Sequence, residues 1–580
     1  MRGTVHVERD VPVPMRDGTM LLADVWRPAG SGVWPTLLQR LPYDKSSSFM
    51  AQHIVGLEPV QAVESGFAVV VQDTRGRYSS GGSFNPFFDE TEDGLDTIAW
   101  IRAQDFSDGR VGMYGASYIG ATQMLAASAA PEGLVAIAPQ LTASEYHDGW
   151  SYSGGALQLG FLLLWVAESL AAVDLLRRPA GPGLDRARET LLEILRDPHA
   201  AYARLPLDRD DLAELAPYYR EWLGHPARDV FWQVIDPGAA HGRMNVAGLH
   251  IGGWHDIFLE GTLRNYTGLR TRAPSPWARE GQHLIVGPWA HGNLGDYQGD
   301  LWYGYGGASA ALDLTAVHTE FFRAAAERRP ADLPRARIFV MGANVWRDED
   351  EWPLSRAREV SFFLRGGGGA NSACGDGRLG AEPPGPGEPA DHYVSDPADP
   401  VPTAGGATFL PGVLLGRNSG PKDQAAVAVR DDVLVYTGEP LSEDLEVTGE
   451  VVVELYAASS ADDCDWAVRL VDVHPDGTGY GVVDGILRAR YRRGLDREVP
   501  LTPGEPELFR FALGTTSQLF RRGHRLRVQV ASSNFPRFDR NPQRWIPVHT
   551  AGLDDMRPAR QTVFHDASRP SRIIVPTIPS

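Results

Sequence analysis

Ser117 stands in Gly115-Ala116-Ser117-Tyr118-Ile119-Gly120, after the strand-like run 109–114 and before 121–130, a stretch rich in helix formers. A strand that turns abruptly into a helix strains the residue at the corner and needs small neighbours. A serine held there presents its hydroxyl as a nucleophile. Gly115 and Gly120 supply the room, although the second glycine follows the serine by three positions rather than the two of the usual G-x-S-x-G pattern. An ordinary turn serine is the bland alternative. The complete strand, turn and helix context favours the nucleophile.

A serine nucleophile needs a base, and the base needs a carboxylate to orient it; on a strand-turn-helix scaffold these follow in the chain order Ser, Asp, His. Asp256 comes after the apolar segment 245–251, and His291 comes after 283–286 by way of Gly287-Pro288-Trp289-Ala290. Both lie just past candidate strand ends, where open α/β sheets collect their reactive groups. Taken singly, Asp256 reads as a carboxylate capping a helix that begins near Ile257, and His291 as a loop histidine bonded to backbone. Three residues in the right order, each after a strand, favour the triad. His255 is a second candidate base, disfavoured because side chains adjacent in sequence point apart.

The elements that must position these residues are legible in the hydropathy pattern. Residues 11–26 alternate around Asp17-Gly18 as a hairpin, strands are expected at 35–40, 66–72, 133–139, 245–251 and 283–286, and a helix near 92–102. Strands alternating with helices predict a largely parallel sheet covered on both faces. Asp256 comes 139 residues after Ser117, far more than a strand-helix-strand step requires, and helical periodicity dominates 157–172, 185–196 and 210–223. The excess predicts a helical cap over 143–240, inserted into a catalytic domain built from 1–142 and 241–352. From about residue 356 onward helices give way to short β-like runs at 359–364, 432–436, 446–457, 467–473 and 526–531, which predict a β-sandwich over 353–580. Within it, 366–369 and 382–389 read as turns or a flexible excursion. Asp462-Asp463-Cys464-Asp465 lacks calcium-loop spacing and reads as a solvated turn.

Arg40-Leu41-Pro42-Tyr43, the runs 72–82 and 93–100, the elbow, Gly253-Trp254-His255-Asp256 and 287–291 together resemble the cocaine-esterase and X-Pro dipeptidyl-peptidase group of serine hydrolases. The likeness covers most of residues 10–300, and the all-β tail is similar to that group's last domain. It implies an α/β fold: an α/β-hydrolase domain with an inserted helical cap and a C-terminal, jelly-roll-like β-sandwich. It also implies a triad of Ser117, Asp256 and His291, with an oxyanion hole made by the Tyr43 hydroxyl and the Tyr118 backbone N–H. One such donor is typically worth ~3 kcal/mol of barrier. His255 departs from the tyrosine or phenylalanine expected before the aspartate.

The activity implied is cleavage of a small-molecule carboxylic ester through an acyl-enzyme, with no metal or organic cofactor. Trp150, Phe161 and Trp165 of the cap, with Trp254 beside the aspartate, are candidates for an apolar substrate pocket; most cap aromatics are expected to pack the cap's own core. An X-Pro dipeptidyl-peptidase or an α-amino acylase is the alternative within the group, and either needs carboxylates to receive a substrate ammonium. Glu145, Asp148, Glu168 and Asp174 are the candidates. A noncatalytic binding protein is the remaining class.

Composition narrows the partners. A chain of 580 residues exceeds one core, and a formal charge of −19 argues against nucleic acid or an anionic membrane. Lysine occurs only at 45 and 422, a bias that carries no binding inference. Cys374 and Cys464 are too few for a disulfide framework and read as free thiols in a reducing compartment. With no apolar leader at the N-terminus and no run of about 18 apolar residues, a cytoplasmic protein is expected, and a homodimer is one assembly the sequence allows.

Overall fold

The computed structural model describes residues 5–47, 56–410 and 418–579. The first sheet contains ten strands: β1 (Val5–Pro14), β2 (Met20–Pro28), β3 (Trp34–Leu41), β4 (Ala68–Asp73), β5 (Ser107–Ala116), β6 (Leu134–Gln140), β7 (Ala247–His255), β8 (Gln282–Ala290), β9 (Ala336–Val340) and β10 (Val345–Glu349). Their spatial order is β1-β2-β4-β3-β5-β6-β7-β8-β9-β10. From β4 across to β9 every pairing is parallel. The antiparallel pairs lie at the two edges. Every residue of β4, β7 and β8 is buried, as a parallel sheet covered on both faces requires. Side-chain alternation sorts neighbours between two cores: Leu37 packs in the core that holds Phe322, and Leu38 in the one that holds Met124.

The connection between β6 and β7 is helical, with one irregularity the periodicity did not signal. Residues 157–172 predict one α-helix, but the chain forms Leu159–Leu164, then a π-helical stretch Trp165–Ala171, then Ala172–Leu176. In the wide turn the carbonyls of Ser169 and Leu170 accept from the fully buried Arg77 guanidinium, at 2.8 and 3.0 Å. Arg77 also donates to Pro42 O and to Asp174, so one side chain ties this helix to the loop that carries Tyr43. The stretch Leu159–Leu176 is apolar enough to cross a membrane, contrary to the reading of the sequence, and 72% of it is buried inside the protein, as a core helix would be. The helix expected at 210–223 is broken at Ala216, because Pro217 disfavours helical backbone in the residue before it.

From Arg358 onward the described residues form a β unit of twelve strands with one short α-helix at Ala425–Ala428. Leu455 and Leu470 lie on strands far apart in the hydrogen-bonded order yet share one core, so the strands fold into packed layers rather than a flat sheet. One expectation fails here. Asp463, Cys464 and Asp465 are buried, not a solvated turn. Arg490 donates to Asp463 at 2.7 Å, while Arg488 pairs with Asp465 and with Asp539, which in turn accepts from Leu157 N. Buried charges persist because they are paired, and this set joins the β unit to the helical segment. A second seam runs along the sheet, where Met341 N donates to Ser517 O and Leu519 N to Met341 O.

Candidate active site

Strand β5 ends at Ala116 and a helix starts at Tyr118, which leaves Ser117 alone at the corner with φ 60° and ψ −124°. Such a conformation is costly for a residue with a Cβ and is held here by neighbours. Ser117 N donates to Gln140 O at 2.9 Å, and Thr142 Oγ1 donates to Ser117 O at 2.8 Å. Gly115 has φ +128°, and a Cβ there would lie 2.4 Å from Ile119 Cγ2. A Cβ on Gly120 would lie 2.7 Å from Thr142 Cβ. The displaced second glycine therefore marks where the Thr142 loop crosses the helix, and Ile119 occupies the position the usual pattern gives to glycine.

The structure brings Ser117, His291 and Asp256 into one hydrogen-bonded chain. His291 Nε2 lies 3.1 Å from Ser117 Oγ, and His291 Nδ1 lies 2.6 Å from Asp256 Oδ1. Asp256 follows β7 and His291 follows β8, so parallel pairing of the two strands sets the acid beside the base. The capping reading of Asp256 does not hold: the helix Leu259–Arg272 has Phe258 as its N-cap and no side-chain cap bond. The second oxygen of Asp256 accepts instead from Phe258 N at 3.1 Å, and this backbone bond fixes the oxygen that faces the imidazole. His255 points elsewhere. It is buried near Tyr303, and burial lowers it to about 4.

Tyr43 closes the other side of the serine. Its hydroxyl accepts from Trp165 Nε1 at 3.0 Å and faces Ser117. Burial raises the phenol above its ordinary range, so it stays protonated, and the indole occupies a lone pair while the O–H remains free to donate. The Tyr118 N–H is the first amide of its helix, a position with no intrahelical acceptor. The Tyr118 ring runs the opposite way, where its hydroxyl donates to Glu90 Oε1 at 3.0 Å and accepts from Phe87 N at 2.8 Å.

Of the pocket residues expected from sequence, three come together. Trp150, Phe161 and Trp165 are buried in the core that also holds Tyr43 and Tyr118, with Trp150–Trp165 and Phe161–Trp165 centroids 5.3 and 5.5 Å apart. Trp254 does not join them. Its indole N–H donates to Phe339 O at 2.7 Å and its ring packs against Trp352 in a different core. Strand β7 is buried on both faces, so its sequence holds no polar alternation to tell which side position 254 takes. Two residues were missed. Phe258 and Phe409 pack edge to face on the His291 ring at 5.0 and 5.2 Å. Phe258 lies two positions past Asp256 and could have been suspected; Phe409 comes from the β unit, with no local signal. The acidic side chains considered for an ammonium are engaged: Glu145 by Arg228 and Arg264, Asp148 by Arg264, and Asp174 by Arg77 and Tyr218. Glu168 is exposed.

A serine at a strained strand-helix corner, hydrogen-bonded to a histidine that a carboxylate orients, on a parallel sheet with helices between its strands, defines an α/β-hydrolase. Residues 17–293 match the X-Pro dipeptidyl-peptidase (S15 family), and residues 329–574 match the X-Pro dipeptidyl-peptidase C-terminal non-catalytic domain. The chain is 38% identical to the cocaine esterase of Rhodococcus sp. (strain MB1 Bresler) over 99% of both chains. Among solved structures it is similar to an α-amino acid ester hydrolase, 27% identical with a TM-score of 0.81 over 99% of this chain and 97% of that one. It is also similar to an aminopeptidase from a marine sediment archaeon, Thaumarchaeota archaeon, 27% identical with a TM-score of 0.80 over 100% and 97%. The chain belongs to the S15 family and is a serine hydrolase.

Proposed function

We propose that the protein hydrolyses small carboxylic esters with hydrophobic acyl groups through an acyl-enzyme on Ser117. The observation that carries this reading is the Ser117–His291–Asp256 chain at 3.1 and 2.6 Å with the Tyr43 hydroxyl facing the serine. His291 Nε2 takes the Ser117 proton as Oγ bonds to the ester carbon, and the carbonyl oxygen becomes an oxyanion received by the Tyr43 O–H and the Tyr118 N–H. Collapse breaks the ester C–O bond, and His291 returns its proton to the departing alcohol. Water then attacks the acyl-enzyme by the same route in reverse. Asp256 holds the imidazole tautomer and offsets its charge when the ring is protonated. Phe258, Phe161 and Phe409 line the approach to His291 with apolar rings, which suits an acyl group without charge.

A second reading, hydrolysis of α-amino esters or amides, is favoured by the 27% identity to an α-amino acid ester hydrolase. The pairing of Glu145, Asp148 and Asp174 with arginines argues for the uncharged acyl group instead. Comparing kcat/KM for p-nitrophenyl butyrate and benzoate with that for an alanyl-prolyl p-nitroanilide and an α-amino acid ester decides between them. Preference for either amine-bearing substrate would overturn the proposal. A cytoplasmic location is supported by the unpaired Cys374 and Cys464 and is checked by cell fractionation.

A further inference from the structure

Asp472, His474 and His524 converge in the β unit, far along the chain from the triad. Asp472 is the second-last residue of the strand Asp465–Val473, His474 follows that strand, and His524 precedes the neighbouring strand Arg525–Ala531. Each side chain presents one ligand atom, and the three atoms all lie within 4.8 Å of one another. His524 Nδ1 lies 2.8 Å from Asp472 Oδ1, and His474 Nε2 lies 3.9 Å from Asp472 Oδ2. An ion held tetrahedrally at zinc distances has its ligand atoms about 3.4 Å apart. The two contacts, made to different oxygens of Asp472, fall on either side of that value, and the remaining pair lies within 4.8 Å, so rotation of these side chains is what would close the site on an ion.

We propose that Asp472, His474 and His524 bind a divalent transition-metal ion, zinc in the first place, with water as the fourth ligand. Two imidazoles and one carboxylate are the donor set of a borderline metal, whereas calcium and magnesium require more oxygen ligands. The surrounding groups hold the ligands in place. Gln518 Nε2 donates to Asp472 Oδ2 at 3.1 Å, and the His474 ring packs edge to face on Tyr480 at 5.0 Å. The nearby guanidiniums turn away: Arg521 pairs with Asp444 and Gly342 O, and Arg525 with Glu439 and Gly438 O. No guanidinium therefore competes for the Asp472 carboxylate, and the partly exposed His474 leaves an entry path. By contrast, another buried histidine–aspartate pair outside the triad, His565 with Asp391, is fully enclosed around a single imidazole. Gln518 lies between Ser517 and Leu519, which bond to Met341, so the ion would brace the seam between the β unit and the catalytic sheet. Its role would be structural, since none of its ligands belongs to the triad.

The test uses the full chain stripped with EDTA, titrated calorimetrically with zinc chloride and melted with and without it. The expected result is one saturable site and a higher Tm with zinc but not with magnesium. His474→Ala and His524→Ala should each abolish the site and the shift, while the metal-free variants hydrolyse p-nitrophenyl butyrate at the wild-type rate. Gln518→Ala should weaken zinc binding about tenfold, as loss of an orienting partner does. Circular dichroism of the metal-free variants confirms folding, and His474→Gln, which keeps a polar side chain of similar length, serves if the alanine variant is unstable. Absence of saturable binding in the wild-type protein, or equal binding by the His474→Ala/His524→Ala double variant, would overturn the proposal.

Discussion

Replacing Tyr43 with phenylalanine separates catalysis from stability in one substitution. The ring and its volume remain, and only the hydroxyl is lost. In the transition state that hydroxyl is expected to supply ~3 kcal/mol, so kcat for p-nitrophenyl butyrate should fall by roughly 100-fold or more with little change in KM. The folded state also loses, because the hydroxyl accepts the buried Trp165 Nε1–H at 3.0 Å. An orphaned buried donor costs about 1–3 kcal/mol, so the urea midpoint should drop with an unchanged m-value. The two losses are tested separately by kinetics and by a double-mutant cycle with Trp165→Phe. Once the indole is gone no donor is left to orphan, and Tyr43→Phe should then cost about 1 kcal/mol less or better. An unchanged kcat would put Tyr43 in a packing role, and additivity across the cycle would refute the hydrogen-bond account of its stability contribution.

Ser117→Ala should lower turnover on the order of a million-fold while leaving the melting curve nearly intact, and retention of a few per cent of activity would remove Ser117 from the mechanism. His291→Ala should be almost inactive and His255→Gln active; the reverse would make His255 the base. His255→Gln also carries a pH signature. A neutral buried imidazole lowered from 6.5 to about 4 contributes stability that is complete above the unfolded value and lost as pH falls through it towards the folded one. The stability of wild type relative to His255→Gln should therefore rise by about 2 kcal/mol from pH 5 to pH 7, and a flat difference would contradict its burial. Arg77→Lys should destabilise the protein by several kcal/mol and reduce kcat as well, because one ammonium cannot reach Pro42 O, Ser169 O, Leu170 O and Asp174 together. Wild-type stability in that variant would refute the anchoring role.

The sequence determined what is written locally. The hairpin at Asp17-Gly18, the strands of the parallel sheet and the elbow at Ser117 follow from alternation, apolar runs and glycines within a few residues, and the observed elements lie close to where these place them. The chain order of Ser117, Asp256 and His291 is equally explicit, because each follows a strand, and parallel neighbours carry their ends to the same edge. What pairs distant segments was not legible. Position 254 in a strand buried on both faces has no pattern to assign its side, and its tryptophan went to the core behind the site. Asp463 and Asp465 read as polar turn residues until Arg488 and Arg490, folded back from the next strand, cancel their charge. The indole of Trp165 meets Tyr43 from the start of a π turn that closes around Arg77, and Phe409 meets His291 from the β unit, contacts between segments far apart in the chain. Local propensity is additive along the chain. Such contacts are decided by which surfaces exclude water from each other, and that is settled only when the whole chain is folded.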